Sequence, residues 1–242
     1  MRKVWIDAGH GGKDPGAVGN GLKEKDVVLV VSLGVKKKLE RDYEGVKVLL
    51  SRSTDVFLEL KERTDAANKA GADLLVSIHC NAGGGAGGFE SFRYTNASTS
   101  SRSLQNVLHT EIMTALKPFG VIDRGQKAAN LHMVRESKMP AVLTENLFID
   151  VAADAAKLKR QKVIDALIAG HVAGIAKYLG LKKKWNAATV SDKVNVMVNG
   201  KQIKDGKLMD GVTYVPLRAV GEALGAEIGW DNKTKTATIT AH

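Results

Sequence analysis

The chain has 242 residues, 44% hydrophobic and 26% charged, with one cysteine and a net charge of 36 − 26 = +10. This is ordinary folded-protein usage and excludes disordered, collagen-like and disulfide-scaffold classes; the length suits one large domain, or a medium domain with a small companion. The surplus of Lys and Arg points to an anionic partner: nucleic acid, an acidic membrane surface or a polyanionic wall.

In chain order, the first two thirds alternate strand-like and helix-like segments. Lys3–Asp7 is a short apolar strand that runs into a polar, glycine-rich loop. Asp26–Leu39 carries Val27, Val28, Val30, Val31, Val35 and Leu39 at helical spacing with one broad apolar face. Val46–Ser51 is a second strand, and Leu58–Ala70 a polar helix that Gly71 stops. Asp73–Cys80 is a continuous apolar run of strand length, and Phe89–Tyr94 alternates aromatic and polar residues. Ser101–Leu116 repeats Leu104, Val107, Leu108, Ile112 and Leu116 as a helix does. Leu131–Val134 and Ala141–Glu145 read as short strands, and Val163–Leu179 as a closing helix. The alternation predicts an α/β fold: a mostly parallel twisted sheet with helices on both faces, over residues 1–181.

Residues 182–190, from Lys182–Lys184 through Trp185–Val190, read as a linker. Residues 191–242 read as a small α+β module. Val194–Val198 is a strand followed by an Asn199-Gly200 turn; Leu208–Leu217 is a second strand with Asp210-Gly211 inside it. Arg218–Leu224 is a helix stopped by Gly225, and Ala226–Trp230 and Thr234–Thr240 flank a turn at 231–233. A module this small is marginal alone, so docking or dimerisation is expected. No membrane span is predicted, since the longest apolar run, Val27–Leu33, is broken by Ser32 and a span needs about 20 residues. The opening MRKVWIDAGHGG lacks the apolar stretch and cleavage site of a secretory leader.

Three ionisable residues stand at strand ends: His10 after the first strand, His79 ending Leu74–Ile78, and Glu145 ending Val142–Thr144. In open α/β sheets, ligands bind outside the carboxyl ends of the strands, so a parallel arrangement brings these to one rim. Glu24, just before the first helix, is a fourth candidate. Two histidines and a carboxylate with one open position form a catalytic zinc ligand set, and a second carboxylate can act as general base.

Asp7-Ala8-Gly9-His10-Gly11-Gly12-Lys13-Asp14-Pro15-Gly16-Ala17 resembles the opening motif of the zinc-dependent N-acetylmuramoyl-L-alanine amidases of the amidase-3 family. The other motifs follow in order: Glu24 heading the first helix, Ser51–Asp55 with Leu60 and Arg63, Ser77–Ala82 around His79, Gly88-Phe89-Glu90, and Pro140–Ile149 around Glu145. The resemblance spans roughly residues 1–180. It implies one zinc ion per chain held by His10, Glu24 and His79, and Glu145 as the catalytic carboxylate. The implied reaction is hydrolysis of the amide between N-acetylmuramic acid and L-alanine in peptidoglycan. Cys80 and Asn146 depart from the family pattern, where alanine and glycine are usual. Residues 194–240, with Tyr214–Ala226 as their core motif, resemble the module named for the N-terminal domain of copper amine oxidases, which accompanies cell-wall enzymes. With no cysteine and only the terminal His242, this module is not expected to bind copper.

Other readings of the scaffold are a zinc peptidase or deacetylase acting on the wall, and a non-catalytic wall-binding protein. The complete His10, Glu24, His79 and Glu145 set speaks against the last. A nucleic-acid partner is not expected: no such motif is present, and the charge is spread as +6 before Lys182 and +4 from there on. An anionic cell wall is the expected partner. Without a leader, release in the manner of a phage lysin is expected, with a mother-cell lytic enzyme acting at the end of sporulation, or a mature secreted form, as the alternatives.

The remaining candidates have structural readings. Cys80, neighbouring His79 in a strand, is expected to point away from the metal and be buried. Arg52, Asp55 and Arg63 read as an internal ion-pair set. His109 reads as a surface or packing residue, His132 and His171 as structural. Gly83–Gly88 is a flexible loop that borders the cleft or is merely a tolerant turn, and Trp185, Tyr214 and Trp230 read as core or interface residues rather than sugar platforms.

Overall fold

The computed structural model describes residues 1–184, 192–209 and 212–240. They belong to two units, Met1–Lys184 and Trp185–His242.

The first unit runs β1 (Arg2–Ala8), the small hairpin β2 (Val18–Gly19) and β3 (Leu22–Lys23), α1 (Glu24–Asp42), β4 (Val46–Leu50), α2 (Leu60–Ala70), β5 (Leu74–Asn81), β6 (Phe89–Arg93), α3 (Thr99–Leu116), β7 (Asp123–Ala128), α4 (His132–Arg135), β8 (Ala141–Phe148), α5 (Ala152–Leu158) and α6 (Gln161–Leu179). Six strands form one sheet in the order β4-β1-β5-β8-β6-β7. The first four are mutually parallel; β6 is antiparallel to β8, and β7 is parallel to β6. The expected mostly parallel sheet is therefore present.

Period-two alternation divides each central strand between two apolar clusters. Val4, Ile6 and Ala8 of β1, and Leu74, Val76, Ile78 and Cys80 of β5, join the large cluster with α1, α3 and α6. Trp5 and Leu75 join a smaller one on the other face with Ala67 of α2, Met133 and Val134 of α4, and Leu143 of β8. Helices thus cover both faces. On the large-core face α3 and α6 meet closely: a Cβ on Gly170 would lie 2.6 Å from the Ile112 Cα, and one on Gly174 2.8 Å from the Leu108 Cα.

Helix ends follow local chemistry. α2 opens with a reciprocal capping box between Glu59 and Glu62 and closes on Gly71, whose φ of 60° suits glycine. The Ser98 hydroxyl caps α3 by accepting from the Ser101 amide.

The β2–β3 hairpin and α5 were not among the expected elements, and two further differences in this unit have a local reason. Where a strand is expected at 131–134, extended Leu131 leads into the short helix α4: Met133 and Val134 are consecutive and both buried in the smaller cluster, which an alternating strand cannot achieve. β7 was not expected because Asp123–Ala128 has almost no apolar content; it is an edge strand held by β6 alone. The Lys182–Lys184 segment lies within the first unit: the Glu44 amide donates to the Lys182 carbonyl at 2.9 Å, and the Lys184 amide to the Asp42 carbonyl at 2.7 Å.

In the second unit, β10 (Val196–Val198) and β11 (Lys201–Ile203) form a hairpin around Asn199-Gly200, both at positive φ. The expected single strand at 208–217 is instead two, β12 (Lys207–Met209) and β13 (Val212–Tyr214), paired antiparallel; the intervening Asp210-Gly211 lies outside the described residues. The short β9 (Asp192–Lys193) pairs with β12, α7 spans Leu217–Leu224, and β14 (Glu227–Asp231) pairs with β15 (Thr236–Thr240). Tyr214 and Trp230 are exposed, not core; Trp185 and His242 lie outside the described residues. Among the described residues no helix is long and apolar enough to cross a membrane.

Candidate metal and acid–base site

At the carboxyl ends of β1 and β5, His10, Glu24 and His79 offer one ligand atom each, all within 4.8 Å of one another. The Glu24 Oε1 lies 3.1 Å from His10 Nε2 and 3.0 Å from His79 Nδ1, and the rings meet edge to face at 5.0 Å between centroids. The sequence places each residue by a different device. β1 ends at Ala8 and the chain turns sharply, with His10 itself at φ 57°, a strained value for a residue bearing a Cβ. Glu24 begins α1, and its buried carboxylate is fixed by the Cys80 amide on Oε1 and the Ala17 amide on Oε2, both at 2.9 Å. His79 sits on the same face of β5 as Ser77 and Leu75.

Glycines make room for this cluster. A Cβ on Gly9 would lie 2.3 Å from the His79 Cε1. One on Gly16, at φ +65°, would lie 2.6 Å from the Glu24 Oε2 and 2.7 Å from the His10 Cδ2.

Neighbouring side chains orient these three residues. The Asp14 Oδ2 stands 2.8 Å from His10 Nδ1, which turns Nε2 toward Glu24. Arg52 spends its guanidinium on backbone carbonyls, including those of Ala8 and Gly9. Arg63 binds the Ala8 and His10 carbonyls at 2.6 Å each and pairs with buried Asp7 at 2.9 Å. Arg52, Asp55 and Arg63 are therefore not one ion-pair set. Asp55 is exposed and pairs with Lys25 at 2.7 Å, while the two arginines clamp the turn that carries His10.

The electrostatics fit a cation. Burial alone would lower the His10 pKa, yet the Glu24 and Asp14 carboxylates raise it to about 9. His79 is likewise raised against its burial by Glu24 and Glu145. Burial would raise Glu24, but the two imidazoles hold it well below the usual carboxylate range. Two imidazole nitrogens around one buried carboxylate attract positive charge, and this donor set suits zinc.

Glu145 lies beside this cluster. β8 continues past it to Phe148, so it is not a strand end as expected. It stands in register with His79 on β5 and with Glu90 on β6, which puts all three side chains on one face. Burial pushes its pKa up to about 7, with Glu24 and Glu90 adding to the effect and His79 opposing it. Its Oε2 is buried and has no hydrogen-bond partner among the described residues. Just beyond, the β5–β8 register shifts between His79 and Asn81, and Leu147 takes φ 69°. Asn146 closes this bulge by donating its Nδ2 to the His79 carbonyl at 2.8 Å.

Cys80 points into the large apolar core, opposite His79, and burial drives its thiol pKa up. His171 is structural: it lies in the core, with Nδ1 2.8 Å from the Leu167 carbonyl and Nε2 3.0 Å from the Thr144 hydroxyl. His132 meets the Thr64 hydroxyl at 3.2 Å. His109 is buried between Ser91 and Asp123, both at 2.9 Å. The Gly83–Gly88 loop is pinned: Asp150 accepts from the Gly83 and Gly84 amides, and Asp154 from the Gly88 amide. Sequence reasoning gave no role to Asp7, Asp14, Glu90 or Asn146. A polar Asp7 inside an apolar strand was the readable signal for the first, and Asp14 four residues after His10 for the second.

Residues 4–177 match the profile of the N-acetylmuramoyl-L-alanine amidase family, and residues 197–242 that of the copper amine oxidase N-terminal domain. The chain is 53% identical over 183 residues to the endolysin of Bacillus phage SPP1, covering 75% of this chain and 67% of that protein. It is 48% identical over 183 residues to the sporulation-specific N-acetylmuramoyl-L-alanine amidase of Bacillus subtilis, covering 76% and 70%. The catalytic domain of the amidase CwlV from Bacillus (Paenibacillus) polymyxa superposes with a TM-score of 0.70 at 37% identity, over 75% of this chain and 100% of that one. The chain thus belongs to the N-acetylmuramoyl-L-alanine amidase family.

Proposed function

We propose that His10 through Nε2, Glu24, and His79 through Nδ1 hold one zinc ion, and that Glu145 is the acid–base residue for hydrolysis of the muramoyl–L-alanine amide of peptidoglycan. When bound, such an ion polarises an amide carbonyl and lowers the pKa of water. The supporting observation is the buried Oε2 of Glu145, in register with His79, without a partner among the described residues and at a pKa of about 7. A carboxylate so tuned takes a proton from an attacking water and returns it to the departing amine nitrogen of alanine near neutral pH. Asp14 holds the His10 tautomer, and Arg52 and Arg63 keep the His10 turn in place.

Residues 1–181 form the catalytic domain in this reading, 182–190 contain the connection, and 191–242 attach the enzyme to the anionic wall. Deployment is that of a phage lysin or of a secreted enzyme. The deciding experiment is digestion of purified peptidoglycan followed by mass analysis. Released peptides with new L-alanine amino termini, and glycan strands left intact, are expected; new reducing ends, or cuts within the peptide, would refute the reading.

A further inference from the structure

The site has two unlike flanks. On the α2 side a cavity of about 300 Å³ is lined by His10, Asp14, Phe57, Leu58, Glu59 and Arg63. Arg63 is committed to Asp7 and to carbonyls, and Asp14 and Glu59 set two carboxylates against the one ammonium of Lys13, which lies over the Phe57 ring at 4.3 Å.

The other flank is cationic. His79, Glu145 and Glu90 follow one another across adjacent strands, and strands lie about 4.8 Å apart, so the row leads from the metal cluster toward the β7 edge. Glu90 is 3% exposed and accepts from Asn81 at 2.7 Å, from Arg124 Nε at 2.9 Å and from Lys127 Nζ. One buried carboxylate thus holds two cations, leaving one positive charge in excess. Arg124 and Lys127 are partly exposed, with 30% and 40% of their side chains accessible. The Arg124 guanidinium carbon lies over the Phe148 ring, 4.6 Å from its centroid, and among the described residues its Nη1 makes a long 3.4 Å approach to the Gly87 carbonyl. With Nε held by Glu90, the guanidinium keeps further donors of the kind that receive a carboxylate.

We propose that Arg124 and Lys127, oriented by Glu90, bind a carboxylate on the peptide arm of the substrate, so that the peptide leaves over the β7 edge and the uncharged lactyl and sugar arm occupies the α2-side cavity. This rests on the amidase reading above and adds a direction and a specificity to it: a free carboxylate on the residue after alanine is preferred to its carboxamide.

The test compares two muramoyl peptides that differ only in carboxylate or carboxamide at that residue, cleaved by the full zinc-loaded chain. The expected kcat/KM preference for the carboxylate form is about ten-fold, which corresponds to about 1.4 kcal/mol, and lies mainly in KM. Lys127→Met and Arg124→Gln each leave Glu90 one cation and should reduce the preference toward unity, whereas Lys127→Arg should retain it. Equal cleavage of both peptides by the wild-type chain, or an undiminished preference in both variants, overturns the clamp while leaving the amidase reading intact. A wild-type chain that cleaves neither peptide overturns both.

Discussion

Along β5 the side chains of Leu74, Val76, Ile78 and Cys80 enter the apolar cluster under α1, α3 and α6, whereas Leu75, Ser77 and His79 face the side of α2 and α4. The same alternation sends Thr144 of β8 toward His171 of α6 and Glu145 to the opposite face. One face of the sheet is a large, dry core. The other has a small core near the strand starts and gives the strand ends to charged groups. Burial acts differently on the two. On the dry face His171, with only neutral partners, falls to a pKa of about 4. On the site face His79, with 17% of its side chain accessible, stands beside carboxylates and is raised despite its burial. Carboxylate partners there outweigh burial, whereas nothing opposes it at His171.

The comparison breaks most completely at His79. His79→Ala removes a donor from the three-residue cluster and should abolish both bound zinc, read by metal analysis, and wall lysis, while the fold persists by circular dichroism. Next is Arg63→Leu, which leaves Asp7 charged and buried; loss of such a partner costs roughly 3–5 kcal/mol in denaturant unfolding. A smaller cost here would show that Ser77, which donates to Asp7 at 2.7 Å, suffices to hold the carboxylate.

On the dry face, His171 has a native pKa depressed below its unfolded value near 6.5. Its stabilising contribution is therefore complete above pH 6.5 and is lost as pH falls through about 4, by about 3 kcal/mol in all. Stability curves of wild type and His171→Leu should converge over that window; parallel curves would mean that His171 is charged in the folded state. Smallest is Gly174→Ala in the α3–α6 seam, where a Cβ meets the Leu108 Cα at 2.8 Å and overpacking costs about 1–3 kcal/mol. An unchanged melting temperature would show that the two helices part freely.

Much of this division was readable in advance. Helices α1, α3 and α6 and strands β1, β5 and β8 announce themselves by apolar period, and His10, Glu24, His79 and Glu145 by their place in ordered motifs. What escaped lies where neighbours, not local pattern, decide. β7 is polar and exists only because β6 offers an edge. The run at 131–134 is too short for its period to distinguish strand from helix. Arg52 and Arg63 bind carbonyls of a turn more than 40 residues away in sequence, which no spacing rule reveals. Asn146 has work only because β8 bulges at Leu147, and Glu90 gains its place beside Glu145 from strand register alone.

In the proposed reading, zinc holding and proton transfer belong to different residues on the site face. Glu145→Gln preserves shape and removes the titrating oxygen, so zinc content and muramoyl-amide cleavage should be measured on the same purified sample. One zinc per chain is expected, as in the wild type, with cleavage reduced by about 10²–10⁴-fold. Cleavage at the wild-type rate, or loss of zinc together with activity, would contradict it.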